Sequence, residues 1–225
     1  MKIGILITGH PPDTMRDGGL YDQYFARLLE GHSFTFQGWS VCDGDFPESV
    51  GEADGWLITG SKHGAYEEHD WIPPLEAFIR AAHAARRPMI GVCFGHQIIA
   101  QAMGGRVEKF SGGWAVGRTE YDMGGRRVAV NAWHQDQVVE KPEAAEVFAS
   151  NAFCENAGLL YGDLIWTIQP HPEYGSDFIN GLIRTRGKGV VPDALLEAAN
   201  ARLDKPTDRM QVADMMAAFY RKERA

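Results

Sequence analysis

Cysteine is scarce in this chain, with only Cys42, Cys93 and Cys154 among 225 residues. Three such widely spaced residues cannot form a disulfide framework, and without a CxxC pair they offer no zinc knuckle. A reducing, cytoplasmic setting is the resulting expectation. Long apolar runs are missing too: none approaches the roughly 20 residues that span a bilayer, so no membrane association is expected. The apolar start, Met1-Lys2-Ile3-Gly4-Ile5-Leu6-Ile7, is short for a signal-peptide core and carries no small-residue cleavage site. Positive charge is in deficit. The formal net charge of -8 gives no general attraction toward nucleic acid or anionic lipid. Internal repeats and low-complexity segments are also absent.

What is there is ordinary for a globular protein: 44% hydrophobic and 23% charged residues, in a length that suits one domain with a modest appendage. Strand-like runs at 2–8, 33–41, 55–59 and 88–92 alternate with helix-like runs at 20–30, 73–87 and 95–103. That alternation predicts an α/β fold with a mostly parallel sheet flanked by helices. From Gly105 the texture changes. Shorter runs at 106–110, 117–121, 127–130, 146–150 and 164–168, separated by glycine turns, predict an antiparallel extension. After Pro172 three helices are expected, at 177–184, 193–203 and 207–222, with Asp193 and Thr207 as N-caps. These observations divide the chain into a main domain over 1–184 and a C-terminal helical appendage over 185–225, expected to pack on the same domain.

The chemistry concentrates at Gly91-Val92-Cys93-Phe94-Gly95, where a buried strand runs through G-x-C-x-G straight into a helix. This is the elbow arrangement of serine hydrolases with a cysteine in the nucleophile position. Small residues on either side permit a sharp turn, and the amide of Phe94 lies at a helix N-terminus, where an anion is favoured. On the local pattern alone a buried structural cysteine fits as well. A thiol nucleophile needs a base, and the base needs an orienting group. Gln169-Pro170-His171-Pro172-Glu173 supplies both: the prolines stiffen the loop, and Glu173 can reach back to the His171 imidazole.

Gly91-Val92-Cys93-Phe94-Gly95-His96-Gln97, followed 78 positions later by His171-Pro172-Glu173, resembles the class I (triad) glutamine amidotransferases. The likeness covers about residues 1–184 and implies that family's flavodoxin-like fold. It also implies a catalytic set of Cys93 as nucleophile, His171 as acid and base, and Glu173 as its orienter. By the same resemblance the oxyanion hole falls to the backbone amides of Gly60 and Phe94. Gln97, Ser61, Trp133 and His134 fall on the substrate pocket. Within the family, Asp43-Gly44-Asp45-Phe46-Pro47, Ile58-Thr59-Gly60-Ser61-Lys62-His63-Gly64-Ala65-Tyr66 and Trp133-His134-Gln135-Asp136-Gln137-Val138 are most like the stand-alone γ-glutamyl peptidase branch.

The implied reaction is cleavage of a γ-glutamyl amide through a thioester on Cys93, with a small-molecule γ-glutamyl substrate and no cofactor. One alternative is a glutaminase subunit that delivers ammonia to a separate synthetase, because the chain has no ATP-binding P-loop of its own. Another is a non-catalytic binding or regulatory module on the same fold, against which the complete Cys/His/Glu set argues. A redox protein with a cysteine elbow would not account for His171-Pro172-Glu173. Asp136 is expected to hydrogen-bond its own loop. Asp70, Trp71 and Trp114 are candidates for the pocket mouth. No metal is expected: His10, His32, His63, His69, His83 and His96 share no ligand spacing on one helical face.

Overall fold

The computed structural model describes residues 1–224. Its first half winds strands and helices alternately: β1 (Lys2–Leu6), α1 (Tyr21–Leu28), β2 (Thr35–Trp39), β3 (Gly55–Ile58), α2 (Ile72–Ala84), β4 (Met89–Val92) and α3 (Phe94–Ala102). A run of strands follows: β5 (Arg106–Lys109), β6 (Ala115–Met123), β7 (Arg126–His134), β8 (Asp136–Glu140), β9 (Glu146–Ser150), β10 (Gly158–Tyr161) and β11 (Ile165–Ile168). The chain closes with α4 (Ser176–Leu182), α5 (Asp193–Asn200) and α6 (Arg209–Arg221).

Nine strands form one sheet in the order β2-β1-β3-β4-β11-β10-β9-β6-β7, and β5 pairs with β8 separately. From β2 to β11 every pairing is parallel; from β11 to β7 every pairing is antiparallel. The expected α/β architecture with an antiparallel extension is thus the observed one, except that β11, expected in the extension, pairs parallel with β4 inside the core sheet. Helices cover both faces of the parallel half because its strands are apolar on both sides. Leu75 and Ile79 of α2 and Ile98 and Ile99 of α3 pack with Trp56, Ile58 and Met89. On the opposite face, Phe25 and Leu28 of α1 and Val212, Ala213 and Met216 of α6 pack with Ile3, Ile5, Leu57 and Ile90.

Residues past 184 make specific contacts with this core. The Tyr220 hydroxyl donates to the Trp56 carbonyl at 2.7 Å, and Asp208 exchanges two hydrogen bonds with the backbone of Ala129, each at 2.7 Å. The predicted N-caps are displaced by one residue. Pro192 precedes α5 and Asp208 precedes α6, and neither side chain caps its helix. The Asp208 carboxylate is already committed to Ala129.

Two strands were not anticipated. β8 begins two residues after β7 ends, with only Gln135 between them and no glycine or proline to mark the break. β10 joins β11 through a turn at Gly162. The helix expected at 177–184 ends at Leu182 and continues as one π-helical turn, Ile183–Gly187. Among the described residues no helix is long and apolar enough to cross a membrane.

Candidate active site

β4 ends at Val92, and the chain turns at Cys93 with φ 54° and ψ -104° before α3 begins at Phe94. A positive φ at a residue with a side chain costs on the order of 1–3 kcal/mol, so the surroundings must impose it. They do so through close packing. A Cβ on Gly91 would meet the Gly95 carbonyl oxygen at 2.5 Å, and one on Gly95 would meet that of Ile58 at 2.2 Å. The two glycines let β4, α3 and β3 approach closely enough to force the turn.

Parallel pairing sets Ile168 opposite Val92, and the Cys93 N–H donates to the Ile168 carbonyl at 2.9 Å. The segment leaving β11 therefore arrives beside the thiol. The His171 N–H donates to the Asn131 carbonyl at 2.8 Å, which fixes the loop against β7. The His171 ring is buried, and its Nδ1 lies 2.7 Å from Glu173 Oε1. That leaves Nε2 for Cys93, whose charge acts on the ring. Tyr174 stacks on the imidazole at 3.9 Å with the planes 8° apart. Burial by itself would lower the His171 pKa. The charges of Cys93 and Glu173 and their hydrogen bonds outweigh it and raise the value to about 10.

Gly60 stands against this pair: a Cβ there would lie 2.8 Å from His171 Cε1 and 3.6 Å from Cys93 Cβ. The preceding Thr59 carbonyl accepts from the Thr8 hydroxyl at 3.0 Å and from the Gly95 N–H at 3.1 Å. In a planar trans peptide, pinning that carbonyl turns the Gly60 N–H to the other side, free for an acceptor. Phe94 opens α3, where amides lack intrahelical acceptors, and its ring is fully buried against Trp71.

A cavity of about 440 Å³ opens over the thiol, and Ser61, Cys93, Gln97, Trp133, His134 and His171 line it. The Gln97 side-chain amide donates to the Asp136 carbonyl at 2.9 Å and to Gln169 Oε1 at 3.1 Å. The Ser61 hydroxyl borders the cavity but donates to the Thr8 carbonyl at 2.6 Å. His134 Nδ1 lies 3.3 Å from the Asp136 carbonyl, while its buried Nε2 has no partner among the described residues. Burial first, and the charge on His171 next, push the His134 pKa down to about 3.

Asp136 departs from expectation: among the described residues its carboxylate makes no hydrogen bond to its own loop, and it lines the cavity together with Tyr66. Trp114 borders the cavity, whereas Trp71 packs beneath it on Phe94 and Asp70 lies on a separate surface hollow. Helical spacing was the wrong guide to the histidines. Most lie in loops, and these gather His63 with Glu67 and His69, and His10 with Cys42 and Asp43. Sequence reasoning also missed Asn131, Gln169, Tyr174 and Arg209. The Arg209 guanidinium donates to the carbonyls of Pro172 at 3.0 Å and Glu173 at 3.4 Å. Only Tyr174, an aromatic directly after Glu173, left a local sign.

An α/β sheet with a strained cysteine at a strand-to-helix elbow, and a histidine–carboxylate pair beside it, defines a cysteine-hydrolase type of site. The class I glutamine amidotransferase family model matches residues 44–179, more than half of the chain, and the chain belongs to that family. It is similar to γ-glutamyl peptidase 4 of Arabidopsis thaliana, with 32% identity over 83% of this chain and 81% of that protein. It is also similar to a glutamine-hydrolyzing GMP synthase subunit of Methanopyrus kandleri, at 30% identity over 63% of this chain and 81% of that one. In fold it matches a glutamine amidotransferase structure from Methylobacillus flagellatus, with a TM-score of 0.76 and 21% identity. That match covers 100% of this chain and 96% of the other.

Proposed function

We propose that the protein is a stand-alone hydrolase of γ-glutamyl amides that works through a γ-glutamyl thioester on Cys93. The observation that carries this reading is the Cys93–His171–Glu173 line. A strained thiol adjoins a buried imidazole whose Nδ1 is held at 2.7 Å by a buried carboxylate. The Cys93 sulfur, having given its proton to His171, attacks the amide carbonyl. The developing oxyanion is received by the N–H groups of Gly60 and Phe94, aided by the start of α3. The raised pKa keeps His171 protonated near neutral pH, so its Nε2–H can protonate the departing amine as the C–N bond breaks. Water then gives its proton to His171 and attacks the thioester, which releases glutamate and restores the thiol. Residues 185–224 brace this machinery as an appendage, through Arg209 above all. All three cysteines are free thiols, in keeping with a reducing, cytoplasmic location.

Two features favour a peptidase over a glutaminase subunit. γ-Glutamyl peptidases 4 and 2 match over 83% and 95% of this chain, against 63% for the GMP synthase subunit. The cavity also reaches past the thiol to Lys109, Trp114 and Arg186, groups suited to an acidic or extended leaving amine. The second reading, ammonia delivery to a separate synthetase, draws on the GMP synthase relative. Cys93→Ala should lower turnover about 10³-fold or more, and the glutamine antagonist diazo-oxo-norleucine should label Cys93. A fully active alanine variant would sink both readings. Profiling against glutamine, glutathione and γ-glutamylamines, with and without cell extract, separates them. A peptidase needs no extract and prefers the peptide or amine, whereas a glutaminase subunit stays slow until its partner is supplied.

A further inference from the structure

The loop from β3 to α2 carries Gly60 and Ser61 at one end and three metal-type donors in its middle. His63 Nδ1 lies 3.3 Å and His69 Nε2 2.8 Å from the same oxygen, Glu67 Oε2. All three donor atoms fall within 4.8 Å of one another. Two ligands about 2.0–2.1 Å from a tetrahedral ion stand about 3.3 Å apart, so the cluster already has the dimensions of half-closed zinc coordination. We propose that His63, Glu67 and His69 bind a zinc-class divalent transition cation at the rim of the active-site cavity.

Donor type, access and support all agree with that class of ion. Two imidazoles and one carboxylate suit zinc, cobalt and nickel, whereas a hard cation would want more oxygens. The side chains are 26%, 43% and 33% exposed in the order His63, Glu67, His69, so an ion from solvent can reach them. The loop is held in a fixed shape before any ion arrives. The His63 N–H donates to the Ser61 hydroxyl at 3.2 Å, and the Glu67 N–H donates to the Gly64 carbonyl at 3.1 Å. Trp71 stacks on the His69 ring, 5.8 Å away and 15° from parallel, and packs in turn on Phe94 of the elbow. Three protein ligands leave a fourth position for water, and both His63 and Glu67 line the cavity that holds Cys93. An ion there would stiffen the loop that presents Gly60. The neighbouring His10–Cys42–Asp43 group is the weaker candidate, because burial pushes the Cys42 thiol up to about 11 and a thiol must lose its proton to ligate.

The test uses the full chain, freed of metal with a chelator and then titrated with Co²⁺ by absorption and with Zn²⁺ by calorimetry. One equivalent should bind. The cobalt spectrum should show visible ligand-field bands without a thiolate-to-cobalt charge-transfer band, and Zn²⁺ should raise the melting temperature. His69→Ala and Glu67→Gln should each weaken binding at least about tenfold, while Cys42→Ser and Cys93→Ser leave it intact. The melting temperature of each metal-free variant separates lost binding from lost folding, and Glu67→Gln keeps the side chain's size. Absence of binding would overturn the proposal. So would binding that survives both loop variants, or a thiolate band that disappears with Cys42 or Cys93.

Discussion

Two buried histidines at nearby strand ends differ in charge. His171, just past β11, and His134, at the end of β7, are 2% and 3% exposed, and they are close enough to feel each other's charge. His171 faces Glu173 and Cys93 and has its pKa raised to about 10. Among the described residues no carboxylate faces His134, whose Nδ1 lies 3.3 Å from the Asp136 carbonyl, and burial first, then the charge on His171, lowers its pKa to about 3. Burial penalises the ionised form at both sites, so burial cannot be what separates them. What separates them is the charge facing His171, from Cys93 first and then from the Glu173 carboxylate 2.7 Å away. The parallel half of the sheet thus supplies a charged histidine–carboxylate pair, and the antiparallel half supplies a neutral wall to the same cavity.

The largest expected effect comes from making His171 resemble His134. Glu173→Gln keeps the size of the side chain and removes its charge. We expect kcat to fall about 10³–10⁴-fold. The alkaline limb of the rate profile, where His171 loses its proton, should also move to lower pH. A pH–rate series on a γ-glutamyl anilide would read both, and an unshifted limb would mean that Glu173 does not set the charge of His171.

A smaller effect tests the support behind Glu173. Arg209→Ala removes two charge-assisted hydrogen bonds to the carbonyls of Pro172 and Glu173. The cost should be about 1.5–3 kcal/mol of stability, or roughly 3–10 °C in melting temperature for a chain of this size. Because the loop positions His171, kcat should fall up to about tenfold with KM unchanged, and Arg209→Lys should recover part of the loss. A change confined to KM would place Arg209 in substrate binding instead.

Legibility in the sequence followed locality. The elbow could be read because its determinants, Gly91, Cys93 and Gly95, lie within five residues and each does a steric job. His171 and Glu173 could be read because prolines on either side of His171 fence in a short polar loop. β1, β3 and β4 were visible as apolar runs, each punctuated by glycine or proline, whereas the largely exposed edge strand β2 showed only a loose alternation. β8 was hidden because Gln135 gives no turn signal. Arg209 and Asn131 were hidden because their roles exist only after α6 and β7 have docked beside the His171 loop. The His63–Glu67–His69 cluster escaped for a different reason. Its spacing matches no helical face, and only the turn at Gly64 brings the three donors together.

The smallest effect concerns the neutral side of the comparison and is read as stability. In the unfolded chain His134 titrates near 6.5, whereas in the native state its pKa is about 3. Between those values the unfolded state binds the proton and the native state does not, so stability is lost as pH falls through that window. The slope is about 1.4 kcal/mol per pH unit for each such histidine. His96, buried with its Nδ1 2.8 Å from the Thr167 hydroxyl and its pKa also lowered by burial to about 3, adds an equal share. His134→Gln should therefore remove about half of the histidine-driven slope in melting temperature between about pH 6.5 and 4.5, while carboxylate contributions cancel between wild type and variant. The difference amounts to roughly 3–5 °C per pH unit. Identical slopes would mean that His134 is protonated in the native protein. The two histidines would then carry like charge, and the contrast between the two walls of the cavity would fail.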